Sequence, residues 1–424
     1  MSRADSPVGR RRFLKMALAG GGVGALAGAG YYAYRRRPIP GAPIIEDRPP
    51  HLEPKSAGVP RRRLGRTNLE VSVVGIGAGG LAGPEPIVRA VDLGMNLIDT
   101  SVCYGDSEKV IRRALKSSPG LRDKLIIATK WDAGVDAKKD EILASLDKSL
   151  SRLGVDFVDI MQLHWLGGGH KFPDNGLNRL DNPELHLAME EAKKSGKVRF
   201  FGATSHAGDR SKILRHAIEL GSFDMVLVKL NVLDHETADI PALLAKAKAK
   251  DIGVVVMKSQ PGGGRVPEAY AKSRYSIYQA NLRWVLERSE VHSVVHSKIG
   301  TDPSFQDQAV SAVQAPLGAR DRGLLGEYAT ALSPDYCRGC SDGCASLCPD
   351  GVAVPHVLQF LMYEEAYGWH ERARAHYAEL PASQRWSERC STCSVCSEAC
   401  PYGVDAAARV REARRRLAAN DAGV

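Results

Sequence analysis

NLIDTSVCYGDSE, residues Asn96 to Glu108, changes character twice in thirteen positions. Asn96-Leu97-Ile98 reads as a short buried strand, and it ends on Asp99. A turn with Tyr104 and Gly105 follows, and Ser107-Glu108-Lys109 opens a helical pattern carried by Val110, Ile111, Ala114 and Leu115. An acid at the carboxyl end of a strand, with a tyrosine five residues on, is unusual placement for two structural residues. By itself it proves little, because a buried tyrosine commonly does no more than find a hydrogen-bond partner.

The pattern repeats outward from this stretch. Strand-like runs occur at Val73–Ile76, Asn96–Asp99, Leu125–Thr129, Phe157–Leu163, Val198–Gly202, Met225–Leu230, Gly253–Met257 and Val291–Val295. Amphipathic segments separate them, such as Glu141–Leu153 with Ile142, Leu143, Leu146 and Leu150 on one face. Eight strands alternating with helices predict an α/β fold, a (β/α)8 TIM barrel, followed by a small and mostly helical domain. One competitor fails. Gly75-Ile-Gly-Ala-Gly-Gly80 fits the dinucleotide fingerprint, with Asp99 nineteen residues beyond. That fingerprint needs a helix at its last glycine, and Pro84 and Pro86 delay one.

In a barrel the strand ends converge, so Asp99, Lys130, His164 and Tyr104 are expected to share one mouth. A phenol is a weak acid at neutral pH, and an ammonium beside it favours the phenolate. Lys130 is expected to play that part for Tyr104, with Asp99 fixing Lys130 and His164 orienting a substrate oxygen. The sequence resembles the aldo/keto reductase family from Arg62 to about Val313. Its carriers are DTSVCYGDSE, IIATKW, SLSRLGVDFVDIMQLHW and GKVRFFGATSH. The resemblance implies hydride exchange between a nicotinamide and a small carbonyl or alcohol substrate, with Tyr104, Asp99, Lys130 and His164 as the catalytic residues.

The implied cofactor contacts depart from that pattern. Ser205 matches the serine that holds the carboxamide, but His206 stands for an asparagine and Leu227 for a glutamine. Met257 takes the stacking position. Lys258, Ser259, Lys298 and Gly300 mark the expected phosphate-side contacts, and NADP(H) over NAD(H) is an expectation of the family alone. The long loop from Gly167 suggests a flap facing the substrate. Trp131 and Trp165 are pocket walls or core.

Eight of the nine cysteines follow residue 336. Cys337, Cys340, Cys344 and Cys348 form one group, and Cys390, Cys393, Cys396 and Cys400 the other, each closed by a proline. The second spacing is that of bacterial ferredoxins, so two 4Fe-4S clusters are favoured over four disulfides or two zinc ions. The likeness to helical dicluster ferredoxins implies crossed ligation: Cys337, Cys340 and Cys344 with Cys400, and Cys390, Cys393 and Cys396 with Cys348. The arginines from Arg409 to Arg416 read as a solvated helix face.

Eight basic residues and one acid in residues 1–40 supply +7 of the net charge of +9, which leaves no basic surface for nucleic acid. Arg10-Arg11-Arg12-Phe13-Leu14-Lys15 resembles a twin-arginine export signal for folded proteins. The Gly/Ala-rich run at 16–34 is either cleaved or retained as an anchor in the inner membrane. The expected division is 1–37 signal, 38–60 proline-rich linker, 61–316 barrel and 317–424 cluster domain. A periplasmic oxidoreductase with a one-electron redox partner is the expectation; the alternative is an electron-transfer or partner-binding module whose barrel is inactive. No flavin motif is visible, so hydride and one-electron chemistry would meet at a nicotinamide carried across with the clusters or at an unrecognised flavin.

Overall fold

The computed structural model describes residues 58–167, 176–205, 207, 209–234, 239–264, 266–340 and 343–418. The export signal, the run at 16–34 and nearly all of the linker lie outside them. Among the described residues, no helix is long and apolar enough to cross a membrane.

A two-stranded hairpin, β1 (Arg61–Arg63) and β2 (Glu70–Ser72), precedes the barrel. The barrel strands are β3 (Val74–Gly77), β4 (Leu97–Asp99), β5 (Ile126–Trp131), β6 (Val158–Leu163), β7 (Val198–Ser205), β8 (Met225–Lys229), β9 (Gly253–Met257) and β10 (Ser293–His296). They run parallel in sequence order, and β10 closes on β3. Alternation along each strand builds two layers. Leu97, Ala128, Ile160, Leu227, Val255 and Val295 fill the interior, while Ile98, Ile127, Met161, Val226, Val254 and Val294 face the helices. All eight sequence-read strands are present, with β9 coinciding and the ends of the others within three residues of those read.

The hairpin is the element that periodicity did not show, because Arg61–Arg63 carries no apolar alternation. It closes the base of the barrel: Leu64, Leu69 and Val71 belong to the interior cluster. The close approach demands glycine at Gly65, whose φ is +47° and where a Cβ would lie 2.4 Å from the Gly253 nitrogen.

The expected boundary at 316/317 falls before a helix, Ala319–Leu332, that still packs on the barrel through Arg283 Nη1 and Asp321 Oδ1 at 3.0 Å. The cluster domain proper is built on the helices Val354–Tyr367, His370–Glu379 and Ala406–Leu417. Val357, Phe360, Leu361, Tyr377, Val410 and Ala413 form their common core, and Cys344 packs into it.

Candidate active site

Strand register places the charged groups of the mouth. Asp99 lies opposite Gly77 and Ala128, and Lys130 lies opposite Gln162. Lys130 and Gln162 therefore project side by side and both reach Asp99. Lys130 Nζ is 2.6 Å from Oδ2, Gln162 Nε2 donates to Oδ1 at 2.8 Å, and Nζ also donates to the Thr100 carbonyl at 2.6 Å. A buried ion pair is tolerated when its remaining lone pairs are filled, and Gln162 and Thr100 fill them here. Gln162 was legible in principle: it sits on β6 two residues before His164, which directly follows the strand.

Tyr104 hangs over this pair, with Lys130 Nζ 4.9 Å from its ring centroid. Burial, then the charges of Asp99 and Cys103, hold its hydroxyl well above the ordinary phenol range, and Arg372 opposes them. This corrects the expectation that Lys130 eases ionisation of Tyr104. The ammonium is engaged by Asp99 and a carbonyl, so the tyrosine is held as a protonated acid.

His164 is set by groups the sequence reading missed. Its Nδ1 lies 3.0 Å from Asp132 Oδ1, 3.3 Å from Ser101 Oγ and 3.7 Å from Cys103 Sγ. Burial disfavours a charged ring, but Cys103 and Asp132 outweigh it and raise the imidazole's pKa. Burial likewise opposes a Cys103 thiolate, and His164 overcomes it, bringing the thiol down to about 7. The ring's edge meets Tyr104 at 6.0 Å between centroids. Trp165 sits at a positive φ of 59° and lines the pocket, whereas Trp131 stacks on Phe201 in the core. The buried Arg179 ties the two loops together, donating to the Ala133 and Trp165 carbonyls.

The cluster domain completes the pocket. Tyr363, Tyr367, Trp369 and Arg372 cross the mouth and, with Asp99, Tyr104, His164, Met257 and Lys258, enclose about 120 Å³. Lys258 Nζ donates to the Tyr363 hydroxyl at 3.3 Å, and Arg372 Cζ lies 5.6 Å from the Tyr104 ring centroid. A larger cavity of about 510 Å³ adjoins it, lined on the barrel side by Lys229, Lys258 and Gln260 and on the other by Cys337 and Cys340. Nothing in the sequence of either domain alone signals this docking.

In this arrangement the cluster domain narrows the mouth around the expected place of a dinucleotide. Its family path would run past Lys258 and Lys298, where the enclosed space is far below the roughly 300–1,000 Å³ usual for ligand sites. Trp369 packs against Gly79, 3.6 Å from where a Cβ would be. Ser205 Oγ already donates to the Leu166 carbonyl at 2.7 Å, Leu227 is part of the apolar interior, and Gly300 is buried against Leu81. Ser259 Oγ is buried without a hydrogen-bond partner among the described residues, and His206 lies outside them.

The cysteines fit iron–sulfur clusters. None of the eight forms a disulfide among the described residues. Among the described residues no three of these sulfurs lie within 4.8 Å of one another, wider than the roughly 3.8 Å that four thiolates take around one zinc at ~2.3 Å. The cysteine neighbours of Cys337 and of Cys396 follow the crossed pattern. Burial, then Cys340 and Cys400, push Cys337 up to about 11, whereas Cys396 is pushed to about 11 by burial and then Cys348, Cys393 and Cys390. Cys348, Cys390, Cys393 and Cys396 share one apolar cradle with Val354 and Val410. The arginine helix is more than a solvated face: Arg411 donates to the Cys390 carbonyl at 3.0 Å, and Arg409 pairs with Glu365. The first group is anchored on the barrel. Tyr336 and Arg338, which flank Cys337, meet Asn231 and Lys229: Asn231 Nδ2 donates to the Tyr336 hydroxyl at 3.2 Å and Lys229 Nζ to the Arg338 carbonyl at 3.5 Å.

Comparison with known proteins agrees with both halves. Residues 85–281 match the aldo/keto reductase family, and residues 336–405 match a 4Fe-4S dicluster domain. The chain is 33% identical over 211 residues to L-galactose dehydrogenase of Arabidopsis thaliana, covering 46% of this chain and 63% of that protein. It is 31% identical over 247 residues to D-galacturonate reductase of Fragaria ananassa, covering 51% and 75% respectively. A thermostable aldo-keto reductase solved with the inhibitor epalrestat shares the fold at a TM-score of 0.51 and 24% identity, over 63% of this chain and 99% of that one. A parallel eight-stranded barrel with Asp99, Tyr104, Lys130 and His164 at its mouth, joined to a dicluster domain, is an oxidoreductase architecture, and the chain belongs to the aldo/keto reductase family.

Proposed function

We propose that this chain interconverts a small carbonyl compound and its alcohol at Tyr104, and exchanges the electrons with an outside partner through its C-terminal domain. The observation that carries this reading is the shared pocket: Tyr363, Trp369 and Arg372 of the cluster domain enclose the same space as Asp99, Tyr104 and His164 of the barrel. A domain that merely passed electrons elsewhere has no need to wall the active site. Tyr104 holds the proton that a reduced carbonyl oxygen takes up, Lys130 and Arg372 face its ring, and His164 borders the place where that oxygen sits. Bound by the eight cysteines, two clusters would supply one electron each, and the two-electron reduction also takes two protons, one to the oxygen from Tyr104 and one to the carbon from water. Similar proteins are named for work on small carbonyl compounds, among them an NADH-specific methylglyoxal reductase of Escherichia coli, 24% identical over 98% of its length.

Turnover driven by reduced methyl viologen tests the reading. Cluster-loaded protein is expected to reduce small carbonyls without added nicotinamide and to lose that activity when its iron is chelated away. Viologen-linked rates that survive iron removal would reject it. The 510 Å³ cavity between Lys258 and Cys337 favours a second reading, in which a tightly held flavin or nicotinamide joins the two chemistries. Mass spectrometry of the denatured, cluster-loaded protein separates the two by finding a stoichiometric cofactor or none.

Export belongs to the same proposal, because residues 10–15 resemble a twin-arginine signal and a preassembled cluster domain requires folded transport. Replacing Arg10 and Arg11 by lysine is expected to hold the protein in the cytoplasm with its iron intact. Unchanged appearance of the variant in the periplasmic fraction would remove the signal from the account.

A further inference from the structure

Four arginines of the cluster domain are paired with carboxylates, and Arg372 is not among them. Arg409 pairs with Glu365, Arg389 with Asp350, and Arg415 and Arg416 with Glu412. No carboxylate lies within ion-pair distance of Arg372 among the described residues; its one hydrogen bond there runs from Nε to His376 Nε2 at 3.3 Å. The guanidinium is instead stacked between two rings, 4.9 Å from the Trp369 centroid and 5.6 Å from that of Tyr104. Contact with the ring faces holds the guanidinium in place without an acid. It lines the 120 Å³ cavity, where the one carboxylate, Asp99, is already bonded by Lys130 and Gln162. The cavity thus holds an uncompensated cation beside the catalytic acid.

We propose that Arg372 is the anion subsite of the active pocket, and that the substrate carries a carboxylate on the carbon next to the reacting one, as a 2-oxo acid or 2-hydroxy acid does. The inference rests on the carbonyl–alcohol reading for the word substrate, and on the pocket alone for the anion. A planar carboxylate matches the guanidinium fork with two parallel hydrogen bonds. The small volume excludes bulkier phosphate esters, and the short span from Arg372 to the Tyr104 ring suits adjacent carbons. The specificity residue therefore comes from the cluster domain and not from the barrel loops.

The test is calorimetric titration of the full-length, cluster-loaded protein with oxamate, an unreactive mimic of a 2-oxo acid, and with oxamide, its neutral counterpart. Oxamate is expected to bind one per chain. Arg372→Gln should weaken it at least tenfold, Arg372→Lys should fall between, and oxamide should not distinguish the three proteins. Unaltered visible absorption of the clusters shows that each variant is folded. Oxamate binding that is absent in the wild type, or equal in Arg372→Gln, overturns the proposal. Because binding is read without turnover, oxamate held through Arg372 by a protein that reduces no 2-oxo acid would reject the carbonyl reading and keep the anion subsite.

Discussion

Tyr104→Phe is expected to lower carbonyl turnover by about 10²- to 10⁴-fold, the range for losing a positioned acid. The ring that Lys130 and Arg372 face is retained, so the pocket walls stay in place and oxamate binding changes little. The hydroxyl alone is removed. Its loss matters because Lys130 is engaged by Asp99 and Thr100, and His164 Nδ1 faces Asp132 and Cys103. Burial and Asp99 keep the phenol protonated far above neutral pH, so the wild-type rate should show no loss from ionisation of Tyr104 up to the ordinary phenol range. Steady-state rates of the variant within threefold of wild type would remove Tyr104 from the proton transfer.

The other large effect concerns iron. Wild-type protein prepared without oxygen is expected to carry about eight irons per chain, four for each set of cysteines. Cys344→Ser combined with Cys400→Ser decides between the two ways of sharing ligands. If the sets are crossed, as the grouping of Cys337 with Cys340 and Cys400 indicates, both changes strike one cluster and about four irons remain. If each set of four were used in sequence, both clusters would be hit and nearly all iron lost. Cys348→Ser with Cys396→Ser is the matching pair for the other cluster.

The barrel was legible because its signals are local. Period-two and period-3.6 patterns mark β3 to β10 and their helices within a few residues, and the spacing of Cys390 to Cys400 is a short motif. Asp99, Tyr104, Lys130 and His164 were found because barrel topology brings strand ends together whatever their sequence separation. The hairpin at the base escaped because Arg61–Arg63 is basic on both faces. Asp132 and Cys103 escaped because each is the neighbour of a residue already accounted for, and only side-chain direction makes them partners of His164. Arg372 lies 268 positions from Tyr104, in a helix whose own pattern is unremarkable for a solvated segment. Its role depends on how one domain docks on another, which no spacing rule conveys. The altered residues at Leu227 and Met257 were noticed, but their reason is structural: Leu227 completes the apolar interior, and the domain that covers Met257 leaves little room above it.

The central claim is that electrons held by the C-terminal domain reach a carbonyl in the barrel. Its most direct test is a single turnover. Cluster-loaded protein is reduced with dithionite, freed of excess reductant, and mixed anaerobically with a 2-oxo acid while visible absorption and product are followed. The account predicts that the bleached absorption returns and that one alcohol forms for every two electrons lost, with both signals slowed together in Tyr104→Phe. Clusters that stay reduced in the presence of substrate, while added NADPH alone drives the reduction, would contradict it.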